Sequence, residues 1–170
     1  MKRTSILSGL ALASALFASA ASAATLSLSL GSGGLFNTQS GASTSVAPLA
    51  TEVSVGFNIA PNITLDAGFL FAHDVDNVAG RASSAYVGFR PGIRAYGGLP
   101  WSNFRPYFRA AIPVQYNSET KTADLGILVG GGLEWRAGRT LGVFGEAIVS
   151  PYFTNGQVPV EGRVGVSLHF

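Results

Sequence analysis

Ser167 and His169 stand two residues apart on one face of the last segment of this 170-residue chain. A hydroxyl beside an imidazole is the beginning of a nucleophile–base pair. No acidic residue in the sequence is placed to orient His169, and no G-x-S-x-G turn occurs, so no catalytic residue is expected. The other histidine opens the run His73-Asp74-Val75-Asp76, which offers ligands for a divalent cation. Their spacing is loose and an acidic solvated loop accounts for them, so no metal site is expected. With no cysteine, thiolate zinc and iron–sulfur centres are excluded. Gly130-Gly131-Gly132 has neither a Walker lysine nor a following helical pattern, and reads as room where a strand bends or side chains approach closely. No cofactor is expected.

The chemistry that remains lies in charges, and their positions follow a period of two. Eight segments alternate: 25–31, 51–60, 63–72, 84–94, 104–114, 123–135, 141–150 and 160–170. In 51–60, Val53, Val55, Phe57 and Ile59 oppose Glu52, Ser54, Gly56 and Asn58. In 160–170, Val164, Val166, Leu168 and Phe170 oppose Arg163, Gly165, Ser167 and His169. Such alternation marks strands with one apolar face. Each run is near the 9–11 residues that a tilted strand needs to cross a bilayer, roughly. The connections alternate between short ones, 61–62 and 136–140, and long ones such as 32–50, 73–83 and 151–159. Turn chemistry is present at Gly33-Gly34, Pro61-Asn62, Asp76-Asn77 and Asn155-Gly156. The segment 32–50, rich in Gly, Ser, Thr and Ala and free of charge, is expected to be a long surface loop and the place for any extracellular partner.

The start of the chain reads as an export signal. Met1-Lys2-Arg3 is a basic n-region, Ile6 to Ala18 an apolar h-region too short to span a bilayer, and Ala21-Ser22-Ala23 a small-residue cleavage site. Residues 1–23 are therefore expected to be a cleaved signal peptide, with 24–170 the mature domain. Of the 11 basic residues Lys2 and Arg3 leave with the signal, so nine basic face nine acidic residues. The pI of about 9.2 belongs to the precursor, and no basic patch remains to suggest a nucleic-acid partner. A mean hydropathy of +0.33 without a helix-length apolar run after the signal fits a barrel, whose strands hide their hydrophobicity in alternation.

Alternation by itself leaves two architectures open. In a soluble secreted β-sandwich the charged face lies outside; in a barrel in lipid it lines the interior. The barrel is favoured by the terminal aromatic, by the glycine-rich polar face of 123–135, and by aromatics at strand ends. Tyr96, Trp101, Phe104, Trp135 and Phe170 are expected at one membrane interface, and Phe36, Phe71, Tyr116, Tyr152 and Phe153 at the other. Eight strands leave an interior that side chains fill, and charges inside it need partners. Register arithmetic across the connections sets Asp66 opposite Arg90, Arg90 opposite Arg109, Arg94 opposite Arg105, Arg105 near Glu134 and Glu146 near Arg163. The expected lumen network is Asp66, Arg90, Arg94, Arg105, Arg109, Glu134, Glu146 and Arg163, with Tyr86 and Tyr107 donating to it. Such a network either plugs the barrel or lines a narrow, anion-favouring path.

The final run ends on an aromatic of the apolar face, Phe170. This ending resembles the C-terminal signature of bacterial outer-membrane β-barrels, and the whole mature chain resembles the small eight-stranded family of OmpA-barrel, OmpX and OmpW-like proteins. The resemblance rests on strand count, loop alternation and Phe170. It implies an all-β, antiparallel up-and-down transmembrane barrel, both termini periplasmic, with Phe170 read as the assembly signal by the barrel assembly machinery. It also implies residence in the bacterial outer membrane among its lipids, as a monomer. The chain is expected to stop at the barrel, without a peptidoglycan-binding domain. The expected function is a non-enzymatic integral outer-membrane protein with a structural or surface-interaction role. The alternatives are a narrow channel for small solutes, a lipid-modifying hydrolase using His169, or the soluble sandwich.

Overall fold

A computed structural model describes residues 26–39, 45–75, 84–97, 103–118, 121–154 and 156–170. The signal segment, Trp101 and residues 40–44 lie outside the described residues. Ten strands are present: β1 (Leu26–Gln39), β2 (Ser45–Ala60), β3 (Ile63–Val75), β4 (Ser84–Tyr96), β5 (Phe104–Ala111), β6 (Val114–Asn117), β7 (Thr122–Leu125), β8 (Leu128–Ala137), β9 (Leu141–Val149) and β10 (Gln157–His169). All pairings are antiparallel, and β1 closes on β10 from Ser27↔His169 to Gln39↔Gln157. The ring is completed by β1–β2, β2–β3, β3–β4, β4 with β5 and β6, β5–β8, β6–β7, β8–β9 and β9–β10.

Two breaks divide ten strands into eight staves. β5 and β6 are one stave interrupted at Ile112-Pro113, and β7 and β8 are one stave interrupted at Gly126-Ile127. The register is unbroken across both gaps, because Ile112 N donates to Pro91 O at 3.0 Å and Gly126 N to Pro113 O at 3.0 Å. Pro91 on β4 and Pro113 on the β5–β6 stave carry no N–H, so each removes a ladder bond beside these gaps. Next to the gap the wall has a shallow apolar notch of about 350 Å³ lined by residues including Pro91, Ile93, Ile112 and Ile127. The architecture is thus a closed eight-stave antiparallel barrel, without helix among the described residues.

The faces are inverted relative to a soluble protein. Leu26, Leu28, Leu30, Phe69, Phe71, Phe89, Phe108, Ile127, Val164, Val166 and Phe170 are exposed around the outside. Glu52, Asp66, Arg90, Arg109, Glu134, Glu146, Glu161 and Arg163 are buried within. Apolar surface this continuous is stable only against lipid or another apolar partner. The closed ring and its charged interior exclude the two-sheet sandwich.

Residues 32–50 correct the expectation of a long loop. Most of the segment is strand: β1 runs on to Gln39 and β2 starts at Ser45, paired as Leu35↔Ala47, Phe36↔Val46 and Asn37↔Ser45. Gly33-Gly34 is no turn but lies in β1, where a bulge shifts the register between Gly33 and Leu35. Small uncharged residues gave no alternation to read, yet they pair well because β10 flanks the same stretch of β1 as far as Gln39. At 16 residues β2 exceeds what a bilayer requires, so this hairpin projects beyond the apolar band, away from the chain termini.

Candidate functional site: the barrel interior

Residues of inward parity form three levels along the axis, below the buried Gln115, Asp124, Ser150 and Tyr152 at the end away from the termini. The first level holds two apolar clusters, Ala50 with Leu70, Ala72 and Tyr86, and Ala111 with Leu128 and Ile148. Leu70, which breaks the polar face of its strand in sequence, is fully buried there. Tyr86 is part of the first of these clusters.

The middle level is a belt of four arginines and four carboxylates. Glu52 is its hub, held by Arg90 Nη1 at 3.1 Å, Arg109 Nη2 at 2.7 Å and Arg163 Nη1 at 2.6 Å. Asp66 accepts from Arg94 Nη2 at 2.9 Å and pairs with Arg109 Nε at 3.2 Å. Glu146 accepts from Arg163 Nη2 at 2.6 Å and from the Tyr107 hydroxyl at 3.2 Å. Glu161 takes both Nη groups of Arg90. All eight side chains are nearly inaccessible. A buried charge without a partner is costly, and here each has at least one opposite charge.

The Arg90–Glu161 pair has a topological meaning. Arg90 is on the fourth stave and Glu161 on the eighth, which places them on opposite walls of an eight-stave ring. Their side chains meet across the axis.

The third level is nearest the termini. His169 Nε2 lies 2.8 Å from Glu134 Oε1, and Ser167 Oγ donates to the same oxygen at 2.6 Å. Arg136 Nε donates to Glu134 Oε2 at 3.1 Å, and Arg136 Nη2 is 3.4 Å from His169 Nδ1. An arginine can only donate, so Nδ1 is the accepting nitrogen and Nε2 carries the proton given to Glu134. Glycine makes this cluster possible. A Cβ on Gly142, between the two strands that supply Ser167 and Glu134, would overlap Ser167 Oγ and lie 2.8 Å from Glu134 Oε1. A Cβ on Gly132 would lie 2.7 Å from the Tyr107 ring, the close approach read from the glycine run. Gly142→Val is expected to cost about 1–3 kcal/mol through overpacking, seen as a lower urea midpoint for the barrel in detergent micelles.

The expected residues are thus partly regrouped. Asp66, Arg90, Arg94, Arg109, Glu146 and Arg163 are in the belt, while Glu134 belongs to the terminal cluster. Arg105 joins neither; its guanidinium lies 4.6 Å over the Tyr96 ring. Asp66 faces Gly92 rather than Arg90, and Arg94 faces Arg109 rather than Arg105, because both connections place the register differently from a symmetric turn. Arg105↔Glu134 and Arg163↔Glu146 are register partners. Glu52 and Glu161 were missing from the expected set, although both share the parity of their strands' polar faces. Their partners lie across the lumen, where pairing along connections cannot reach. Tyr96 and Tyr152 are corrections: both point inward and are buried, Tyr96 against Tyr107 with ring centroids 5.4 Å apart. Trp135 is exposed on the outer face. The expectation that no acid orients His169 is overturned by Glu134, two staves away in the ring.

No family model and no curated protein matches the sequence. Solved structures do match. Neisserial surface protein A superposes with a TM-score of 0.65 at 11% identity, over 86% of this chain and 97% of that one. A major outer membrane protein from Thermus thermophilus gives 0.60 at 14% identity, over 87% and 100%. The fold is that of the small outer-membrane β-barrels. PagL, an outer membrane enzyme, shares it with a TM-score of 0.52 at 12% identity, over 84% and 97%. The barrel architecture is therefore compatible with catalysis, and the Ser167–His169–Glu134 group has to be judged by its geometry. In a catalytic triad the hydroxyl and the acid use different ring nitrogens. In this barrel both face Nε2, the serine proton goes to the carboxylate, and all three side chains are buried. The group is a polar bridge tying β10 to β8 over Gly142.

Proposed function

We propose that this chain is an integral protein of the bacterial outer membrane with a closed lumen and a structural or surface-interaction role. The carrying observation is the belt: ion pairs join opposite walls across the axis, occupying the path a solute would take. The apolar exterior supports residence in lipid. In this reading residues 1–23 are removed on export, the termini face the periplasm, and Phe170 is read by the assembly machinery. The barrel works as a monomer, with no nucleic acid or cofactor. An extracellular partner would meet the far ends of β1 and β2, which replace most of the expected 32–50 loop.

Planar-bilayer recording tests the closed lumen. The purified barrel is expected to insert without conductance steps at any applied voltage. Reproducible steps from the wild-type protein would instead support the narrow channel.

A further inference from the structure

The belt is electrically complete, four arginines against four carboxylates, but the periplasmic mouth is not. Arg105 is half-exposed there and has no carboxylate within 4.0 Å among the described residues; its bonds are the stack on Tyr96 and one to Asn62 Oδ1 at 3.4 Å. Arg105 faces Glu134 in register, and Arg136 N donates to Asn103 O at 2.8 Å, so Arg105 and Arg136 are diagonal neighbours on adjacent staves. Such neighbours stand roughly 7–8 Å apart at Cα, close enough for two long side chains to converge. Glu134 is the one side-chain carboxylate of this level among the described residues, and Ser167, His169 and Arg136 already engage it. Arg139 is exposed in the adjoining turn. Of these three guanidinium groups only that of Arg136 pairs with Glu134.

We propose that Arg105 and Arg136 form a binding site for a phosphate ester at the periplasmic mouth of the barrel. A guanidinium presents paired donors that match phosphate oxygens, and Tyr96 holds the Arg105 plane in place before any ligand arrives. The outward neighbours of these arginines, Phe104 and Trp135, are themselves register partners and both exposed. Aromatic rings of this kind sit at headgroup depth, so the mouth lies level with the phosphates of the inner leaflet. The ester comes either from a soluble phosphate or from an anionic phospholipid headgroup.

The two sources are separated by two measurements on the full mature barrel. In maltoside micelles at fixed ionic strength, inorganic phosphate is titrated while the side-chain Nε–H resonance of Arg105 is followed. A saturable shift is expected that chloride does not reproduce. Read through the Trp135 indole resonance, Arg105→Gln and Arg136→Gln should each weaken binding about tenfold, the loss of a charge-assisted bond. Arg139→Gln should leave it near wild type. In nanodiscs of phosphatidylcholine with phosphatidylglycerol, native mass spectrometry reads which lipid stays bound. Retained phosphatidylglycerol, lost in Arg105→Gln, assigns the lipid source; a phosphate response without that preference assigns the soluble one. Variants must keep the heat-shifted gel mobility of the folded barrel, and Arg105→Lys serves where glutamine fails. Absence of both signals overturns the site, as does a chloride response equal to that of phosphate or wild-type affinity in the Arg105→Gln/Arg136→Gln protein. The phosphate arm needs no bilayer, so its failure is separate from that of the membrane assignment.

Discussion

Glu52→Gln should destabilise the folded barrel by about 3–5 kcal/mol, the range for removing one partner of a buried ion pair. Glutamine keeps the shape of the side chain, so the effect isolates charge. Arg90, Arg109 and Arg163 all bring a nitrogen within 3.1 Å of this carboxylate, and none can reach water to compensate. The measurement is the urea midpoint of the refolded protein in detergent micelles. A loss below about 1 kcal/mol, the worth of an exposed pair, would show that the belt is solvated and the lumen open. Adding Arg163→Gln restores neutrality, with three arginines against three carboxylates. The double variant should then be less destabilised than the sum of the two single ones.

Deleting Phe170 should sharply reduce the folded protein in the outer membrane while barely moving the urea midpoint of barrel refolded in vitro. In the folded state Phe170 has a two-thirds-exposed side chain and one closing bond, from its N–H to Leu26 O at 2.8 Å. Losing one exposed side chain at a strand end removes little packing. If the residue is instead an assembly signal, the cost falls on delivery and closure. Immunoblots of outer-membrane fractions, set beside the denaturation curves, separate the two roles. Wild-type levels in the membrane would show that Phe170 is not read, and a large in vitro loss would make its role structural.

The fold was legible because lipid outside and charge inside both enforce a period of two. Each strand from 51 onwards shows it, and the terminal run 160–170 shows it most cleanly. Where side chains are small, as in 32–50, the period vanishes and strand was read as loop. The gaps at Ile112-Pro113 and Gly126-Ile127 were invisible as gaps because the register continues through them. Charges inside the barrel were legible by parity, but their partners were not. Glu161 meets Arg90 across the lumen, at 71 residues' separation, and Glu134 meets His169 over Gly142. Such contacts depend on ring closure, shear and the reach of side chains, none of which a local pattern encodes. Tyr96 shows the opposite lapse: its parity with Arg94 already placed it inside, and its position at a strand end suggested the interface.

The inverted barrel, apolar outside and ion-paired within, is tested most directly by cell fractionation combined with gel mobility. The account predicts that the protein stays with carbonate-washed outer membranes, leaves them only in detergent, and migrates differently before and after boiling. Recovery of the folded protein in the soluble fraction without detergent would contradict it.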